Sequence, residues 1–246
     1  MVSVSTPQHS FQRARSPEHK QQRANDLVDA ARRLALADGV HAVTLTRIAT
    51  QAGVHLSAVR RYFESREEIY LRLAAEGWRD WAEDVALHLA DPRSMTPATP
   101  EAIADVFTSG LAERPLFCDL LAHAQVSLER DVQPETVREF KLSALGAVDR
   151  IVEAVHASGG PLDAGAVRDL IAVATSLAGS LWQTAHPAPA LTQLYAEDTR
   201  LAHSIIDFEP RLRRLLRVTA RGLTGEKAGQ LGPAKGRDQP HLVRGG

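Results

Sequence analysis

The chain has 246 residues, of which 44% are apolar and only 5% aromatic, with a formal net charge of −1. That length permits one large domain or two smaller ones, and the apolar share is enough for a buried core. One cysteine, Cys118, excludes an intrachain disulfide framework and a thiolate metal cluster. Ala and Leu dominate and strand-like alternation is scarce, so an all-α fold is expected. No apolar leader and no run of about 18 apolar residues is present, which points to a soluble, cytoplasmic chain without a membrane partner.

The small net charge hides segregation. Residues 11–63 hold nine Lys and Arg against four Asp and Glu, residues 64–210 hold 11 against 24, and residues 211–246 hold nine against two. A basic N-terminal module beside an acidic body suits a protein that grips a polyanion at one end.

In chain order, residues 1–16 are rich in Ser, Thr, Gln and Pro and read as a disordered arm. Its Arg13 and Arg15 suit either a minor groove or plain solvent. A first helix is expected from Pro17 to Asp38, stopped by Gly39, with Leu27, Ala31, Leu34 and Ala35 facing inward. Lys20 and Arg23 read as its solvated face, with backbone phosphate as the other reading. Thr44 is the N-cap of a second helix whose stripe is Leu45, Ile48 and Ala49. Gly53 stands where that helix must stop and reverse, since only a residue without Cβ turns left-handed at little cost. A third helix is expected from His55 to about Tyr62, with Val59 and Phe63 inside and Ser57, Arg60 and Arg61 outside. Two short helices joined at a glycine form a helix-turn-helix, whose second helix can enter a DNA major groove.

Ser65 and Glu68 form a capping box that opens a long helix to about Ala90. Ile69, Leu73, Trp78, Trp81, Val85 and Leu89 recur along it, so it serves both domains and links them mechanically. Three prolines make residues 91–100 a loop. Further helices are expected from Glu101 to Glu113, from Pro115 to about Glu129, and from Pro134 to the Gly159-Gly160 stop. Asp163 caps an eighth helix to about Ala185 that is apolar on two sides, and its Ala178-Gly179-Ser180 permits close helix approach. After the Pro-rich break at residues 186–189 and a stretch without clear pattern, Pro210 opens a ninth helix. Its stripe is Leu212, Leu215, Leu216, Thr219 and Leu223. The tail from 225 to 246 reads as disordered. The expected domains are therefore an arm (1–16), a DNA-binding unit (17–65), a helical body (66–224) and a tail (225–246).

No Walker loop, G-x-G-x-x-G, H-E-x-x-H or G-x-S-x-G is present, and Cys118 and His123 do not share a helix face. No catalytic residue, cofactor or metal is expected. An enzyme with a vestigial helix-turn-helix is disfavoured by these missing motifs.

Ile48-Ala-x-x-Ala-Gly-Val54, then Val59, Tyr62-Phe63 and Ser65-Arg-Glu-Glu-Ile69, resemble the N-terminal signature of the TetR family of one-component transcriptional regulators. The resemblance spans about Leu27 to Leu73. It departs at His55, where the family usually has a small hydroxyl residue, and at Arg60, where it usually has a phosphate-touching Tyr. The resemblance implies DNA contact by Thr44, Thr46, Arg47, His55, Leu56, Ser57, Arg60, Arg61, Tyr62 and Arg66, with Arg66 facing phosphate. Arg60 and Arg61 point about 100° apart on a helix, so Arg60 is assigned to a base edge and Arg61 to phosphate. It further implies a homodimer through helices eight and nine on a near-palindromic double-stranded DNA operator, released as a repressor by a small-molecule effector of apolar or aromatic kind. Trp78, Trp81, Phe107, Phe117, Phe140 and Trp182 are the side chains that would line the effector pocket. The alternative is a solid core with no effector.

Overall fold

Side-chain caps begin several helices where the sequence places them. Thr44, Ser65 and Asp163 accept the N–H groups of Arg47, Glu68 and Ala166 at 3.2, 3.3 and 2.9 Å. Thr99 accepts that of Ala102 at 3.1 Å, with Pro100 in the first turn. The computed structural model describes residues 17–91, 97–123, 132–198, 200–201 and 206–225. The N-terminal arm with Arg13 and Arg15, the tail beyond 225, part of the Pro-rich loop and the expected continuation of the sixth helix past His123 lie outside them. Among the described residues the secondary structure is helical, without strands. The helices are α1 (Pro17–Asp38), α2 (Leu45–Gln51), α3 (Leu56–Val59), α4 (Arg66–Leu89), α5 (Pro100–Ala112), α6 (Pro115–His123), α7 (Pro134–Ala157), α8 (Ala164–Ala185), α9 (Pro189–Glu197) and α10 (Phe208–Gly225). A 3-10 turn, Val40–Ala42, joins α1 to α2.

Two elements differ from expectation. α3 ends at Val59, because the next bonds tighten to the i−3 carbonyl (Arg61 N–H to Ala58, Tyr62 N–H to Val59). Arg60 and Arg61 therefore sit on the closing turn rather than in the helix body. The patternless stretch contains α9, so the last helix is the tenth. α9 buries none of its residues, and Leu191 and Leu194 are 44% and 45% exposed.

Two apolar cores lie along α4. The first gathers Leu27, Val28 and Ala31 of α1, Ile48 of α2 and Val59 of α3 on Ile69, Tyr70, Leu71 and Leu73 of α4. The second gathers Trp81 and Val85 of α4 with Ile103, Phe107, Ile151, Leu170, Ala174 and Leu216. Trp78 packs against both. A long capped helix with a continuous apolar stripe is thus shared by the helix-turn-helix and the body.

Within the body α6 and α8 meet at the backbone: a Cβ on Gly179 would stand 2.8 Å from the Ala122 nitrogen. Only glycine permits that approach. α8 has the length and mean hydropathy, 1.2, to cross a membrane. Its Val167, Leu170, Ile171, Ala174 and Ala178 are buried in the second core, while Ala172, Ser176 and Ser180 form an exposed face of small side chains. Cys118 is fully buried and its thiol donates to the Leu111 carbonyl at 3.2 Å; burial pushes that thiol up to about 12.

α10 is stitched to α5 by ion pairs. The Arg217 fork meets both Asp105 oxygens at 2.7 and 2.5 Å. Arg213 reaches Asp105 and Glu209, and Arg221 reaches Glu101, whose carboxyl is held below the usual range by that arginine.

Candidate nucleic-acid interface

The helix-turn-helix is built by three local devices. Thr44 caps α2, and Gly53, at φ +66°, reverses the chain so that Val54 N–H reaches the Ala49 carbonyl at 2.9 Å. A Cβ on Gly53 would meet nothing within 4 Å, so the backbone angle and not crowding selects glycine there. His55 caps α3: its ring Nδ1 accepts the Ser57 N–H at 3.4 Å and lies 3.0 Å from the Ser57 hydroxyl oxygen. A ring nitrogen thus takes the place of the hydroxyl that usually starts such a helix.

Thr44, Thr46, Arg47, His55, Ser57, Arg60 and Arg61 are exposed on this unit. Leu56 and Tyr62 are half-buried and pack against the first core, so each presents only an edge. The arginines divide sharply. Arg47 donates to the Ala42 carbonyl at 2.9 Å and pairs with Asp38. Arg66 donates to the Val43 and His41 carbonyls at 2.7 and 3.4 Å and to Glu67 at 2.8 Å. In the free chain the Arg66 guanidinium is thus engaged within the protein, its side chain 36% exposed. Its guanidinium faces the turn before α2, where two free carbonyls and a neighbouring carboxylate outcompete open solvent.

The side chains of Arg60, Arg61 and Lys20 meet no acid or other partner among the described residues. Lys20, Arg23, Arg61 and Tyr62 border one open groove of about 620 Å³ between α1 and the closing turn of α3, floored by Leu27, Val54 and Ala58. Arg23 makes only a loose pair with Asp26, at 3.6 Å. Lys20 and Arg23 thus stand beside the helix-turn-helix surface rather than on a remote face. Their i, i+3 spacing on α1 was the signal available in the sequence. Asp26 also borders the groove, but Lys20 and Arg61 can meet a polyanion without giving up an ion pair of their own.

Of the six large side chains expected to line a pocket, four come together and two lie elsewhere. Trp78, Trp81, Phe107 and Phe117 pack on one another edge-on or tilted, with ring centroids 5.4 to 6.4 Å apart. Phe140 belongs to the first core. Trp182 stacks on His186 at 3.8 Å and meets the edge of Phe208. Among the described residues the buried Trp81 indole N–H has no acceptor, an uncommon state for a buried donor.

A sequence profile described as "Bacterial regulatory proteins, tetR family" matches residues 27–73, and one described as "Tetracyclin repressor-like, C-terminal domain" matches residues 75–227. No curated protein matches the chain. Among solved structures, Thermus thermophilus FadR, a TetR-family transcriptional repressor in complex with lauroyl-CoA, is 19% identical with a TM-score of 0.53, covering 90% of this chain and 100% of that one. Bacillus subtilis FadR in complex with stearoyl-CoA is 18% identical with a TM-score of 0.47, covering 81% and 97%. At 19% identity the likeness to the Thermus protein speaks to fold alone. Both profiles together run almost without a break from α1 through α10, over a helix-turn-helix with unpaired arginines and an all-helical body. The chain belongs to the TetR family of DNA-binding transcriptional regulators.

Proposed function

We propose that this protein is a homodimeric repressor that binds a near-palindromic DNA operator through its two helix-turn-helix units and is released by a small apolar or aromatic ligand. The observation that carries the DNA reading is the division of the cations: Arg47 and Arg66 are engaged within the protein, while Lys20 and Arg61 border one groove, and they and the neighbouring Arg60 have no side-chain partner among the described residues. Division of the chain into a reading unit (17–65) and a body (66–224) follows the Ser65 cap of α4. Dimerisation through α8 and α10 is supported by the small exposed face of α8 and by Val218 of α10, which is 62% exposed. Such a dimer presents its reading units about 34 Å apart, or a near multiple. Ligand release works by shifting α4, which both cores share, and so altering that spacing.

The buried Trp81 N–H supports a ligand acceptor in the body. Since Thermus FadR holds lauroyl-CoA, acyl-CoA thioesters belong in the first effector panel beside apolar and aromatic compounds. A second reading, regulation without an effector, is favoured by the ring-on-ring packing of Trp78, Trp81, Phe107 and Phe117. The deciding experiment selects a duplex from a randomised library with the full chain, weighs the complex by light scattering, then titrates the panel. A monomer at micromolar concentration removes the dimer. Constant operator affinity across the panel moves the balance to the second reading.

A further inference from the structure

The corner between α1 and α2 is held from the body at one peptide unit. Val40 N–H donates to Oδ2 of Asp119 at 2.8 Å, and the Val40 carbonyl accepts the Tyr70 O–H at 3.2 Å. Asp119 lies on α6 within the otherwise apolar run Leu116 to Leu121 and is only 8% exposed. Its other oxygen, Oδ1, accepts Nε2–H of Gln183 on α8 at 2.7 Å, with His123 Nδ1 at 3.6 Å. One carboxylate thus joins a donor in the DNA-reading unit, 79 residues away in sequence, to a donor on α8, 64 residues away.

A carboxylate beside the C-terminal end of α1 is poorly placed for the helix dipole. Two charge-assisted N–H bonds offset that, and only an ionised carboxyl offers two equivalent acceptors to donors on opposite sides. Gln183 stands one turn beyond Gly179, where α8 touches the α6 backbone, so α6 and α8 hold the carboxylate between them as one piece.

We infer that Asp119 is a positioning residue for DNA reading: it fixes the α1–α2 corner and, through Gln183, makes the placement of the helix-turn-helix depend on α8. This rests on the DNA-binding reading above. It adds a route to the reading unit that runs beside α4 and starts on the helix proposed to pair with a second copy.

The test uses the full chain with three substitutions, two readouts and a duplex selected from a random library by the unsubstituted protein. Gln183→Leu removes the α8 end and leaves the reading unit untouched. It is expected to speed amide hydrogen exchange at Val40 selectively and to weaken duplex affinity roughly 2- to 30-fold, with dimer mass unchanged. Asp119→Asn still accepts from Val40 and, with the Gln183 amide turned over, still bonds across; it is expected to hold affinity within about twofold. Asp119→Leu loses both bonds and both readouts. Should that variant fail to fold, the other two decide. Wild-type Val40 exchange in Gln183→Leu overturns the inference, as does exchange that rises evenly across the molecule. If the unsubstituted chain selects no duplex, the DNA-binding reading fails by itself, and Val40 exchange still decides whether Gln183 and Asp119 govern the corner.

Discussion

The two halves of α4 are packed on opposite plans. From Ile69 to Ala75 it meets chiefly aliphatic side chains of α1, α2 and α3 together with Phe63 and Phe140, and two polar groups near its start reach out to backbone. Arg66 holds the carbonyls of Val43 and His41, and Tyr70 holds that of Val40. From Trp78 to Val85 it meets rings and aliphatic chains, and its polar ties run to basic side chains of the body: Arg114 donates to the Asp80 carbonyl and to Asp84, and Arg150 to Glu83, at 3.1, 3.2 and 2.9 Å. The first half is bonded to the backbone of the corner that positions the reading unit, whereas the second anchors α4 in the body through a larger aromatic core and side-chain ion pairs at its rim. Damage to the second should therefore appear as lost stability, and damage near the first as lost or blurred DNA recognition.

The largest expected effect is in the aromatic half. Trp81→Ala should cost about 3–5 kcal/mol in urea unfolding, from lost transfer energy and an unfilled cavity. Its folded fraction should keep the wild-type base preference; a changed preference would erase the contrast between the halves. Next is Arg60→Ala, expected to lose about 1–3 kcal/mol of operator affinity and to relax preference at one base pair per half-site, with unfolding unaffected. Equal weakening on every sequence would reassign Arg60 to phosphate.

Tyr70→Phe should cost about 0.5–1.5 kcal/mol of stability, the usual range for one neutral hydrogen bond. It also has a pH signature. Burial raises the Tyr70 hydroxyl above its ordinary value of 10.0. Its contribution is complete below that value and is lost as pH climbs from there toward the raised folded value. Wild-type unfolding should thus weaken on that alkaline limb more than Tyr70→Phe does. The smallest effect is Arg61→Ala, which should leave base preference intact and reduce the salt slope of DNA binding by roughly one. An unchanged slope would remove Arg61 from the phosphate contacts.

Much of this was readable locally. Thr44, Ser65 and Asp163 act as caps, Pro134 starts a helix, and Gly53 takes the left-handed angle. Each is decided within a few residues, which a sequence displays directly. α9 escaped notice because it buries nothing, so no core-facing stripe was selected to mark it. The partners of Arg66 escaped for another reason. Carbonyls at the end of a short turn are present in every chain, and only the tertiary fold brings them to a guanidinium. Asp119 shows the same limit, since both of its donors come from elsewhere in the chain.

Cys118 turns the spacing of the reading units into something measurable. A thiol buried against the Leu111 carbonyl and held protonated at neutral pH is a poor nucleophile toward maleimides. Since it is the sole cysteine, a Ser57→Cys variant would offer one reactive sulfur per protomer, on the exposed side of α3. Spin labels attached there in the proposed homodimer would form a single pair. Pulsed dipolar spectroscopy would then read their separation in solution, with and without each candidate effector, and no cysteine-free background would have to be made first.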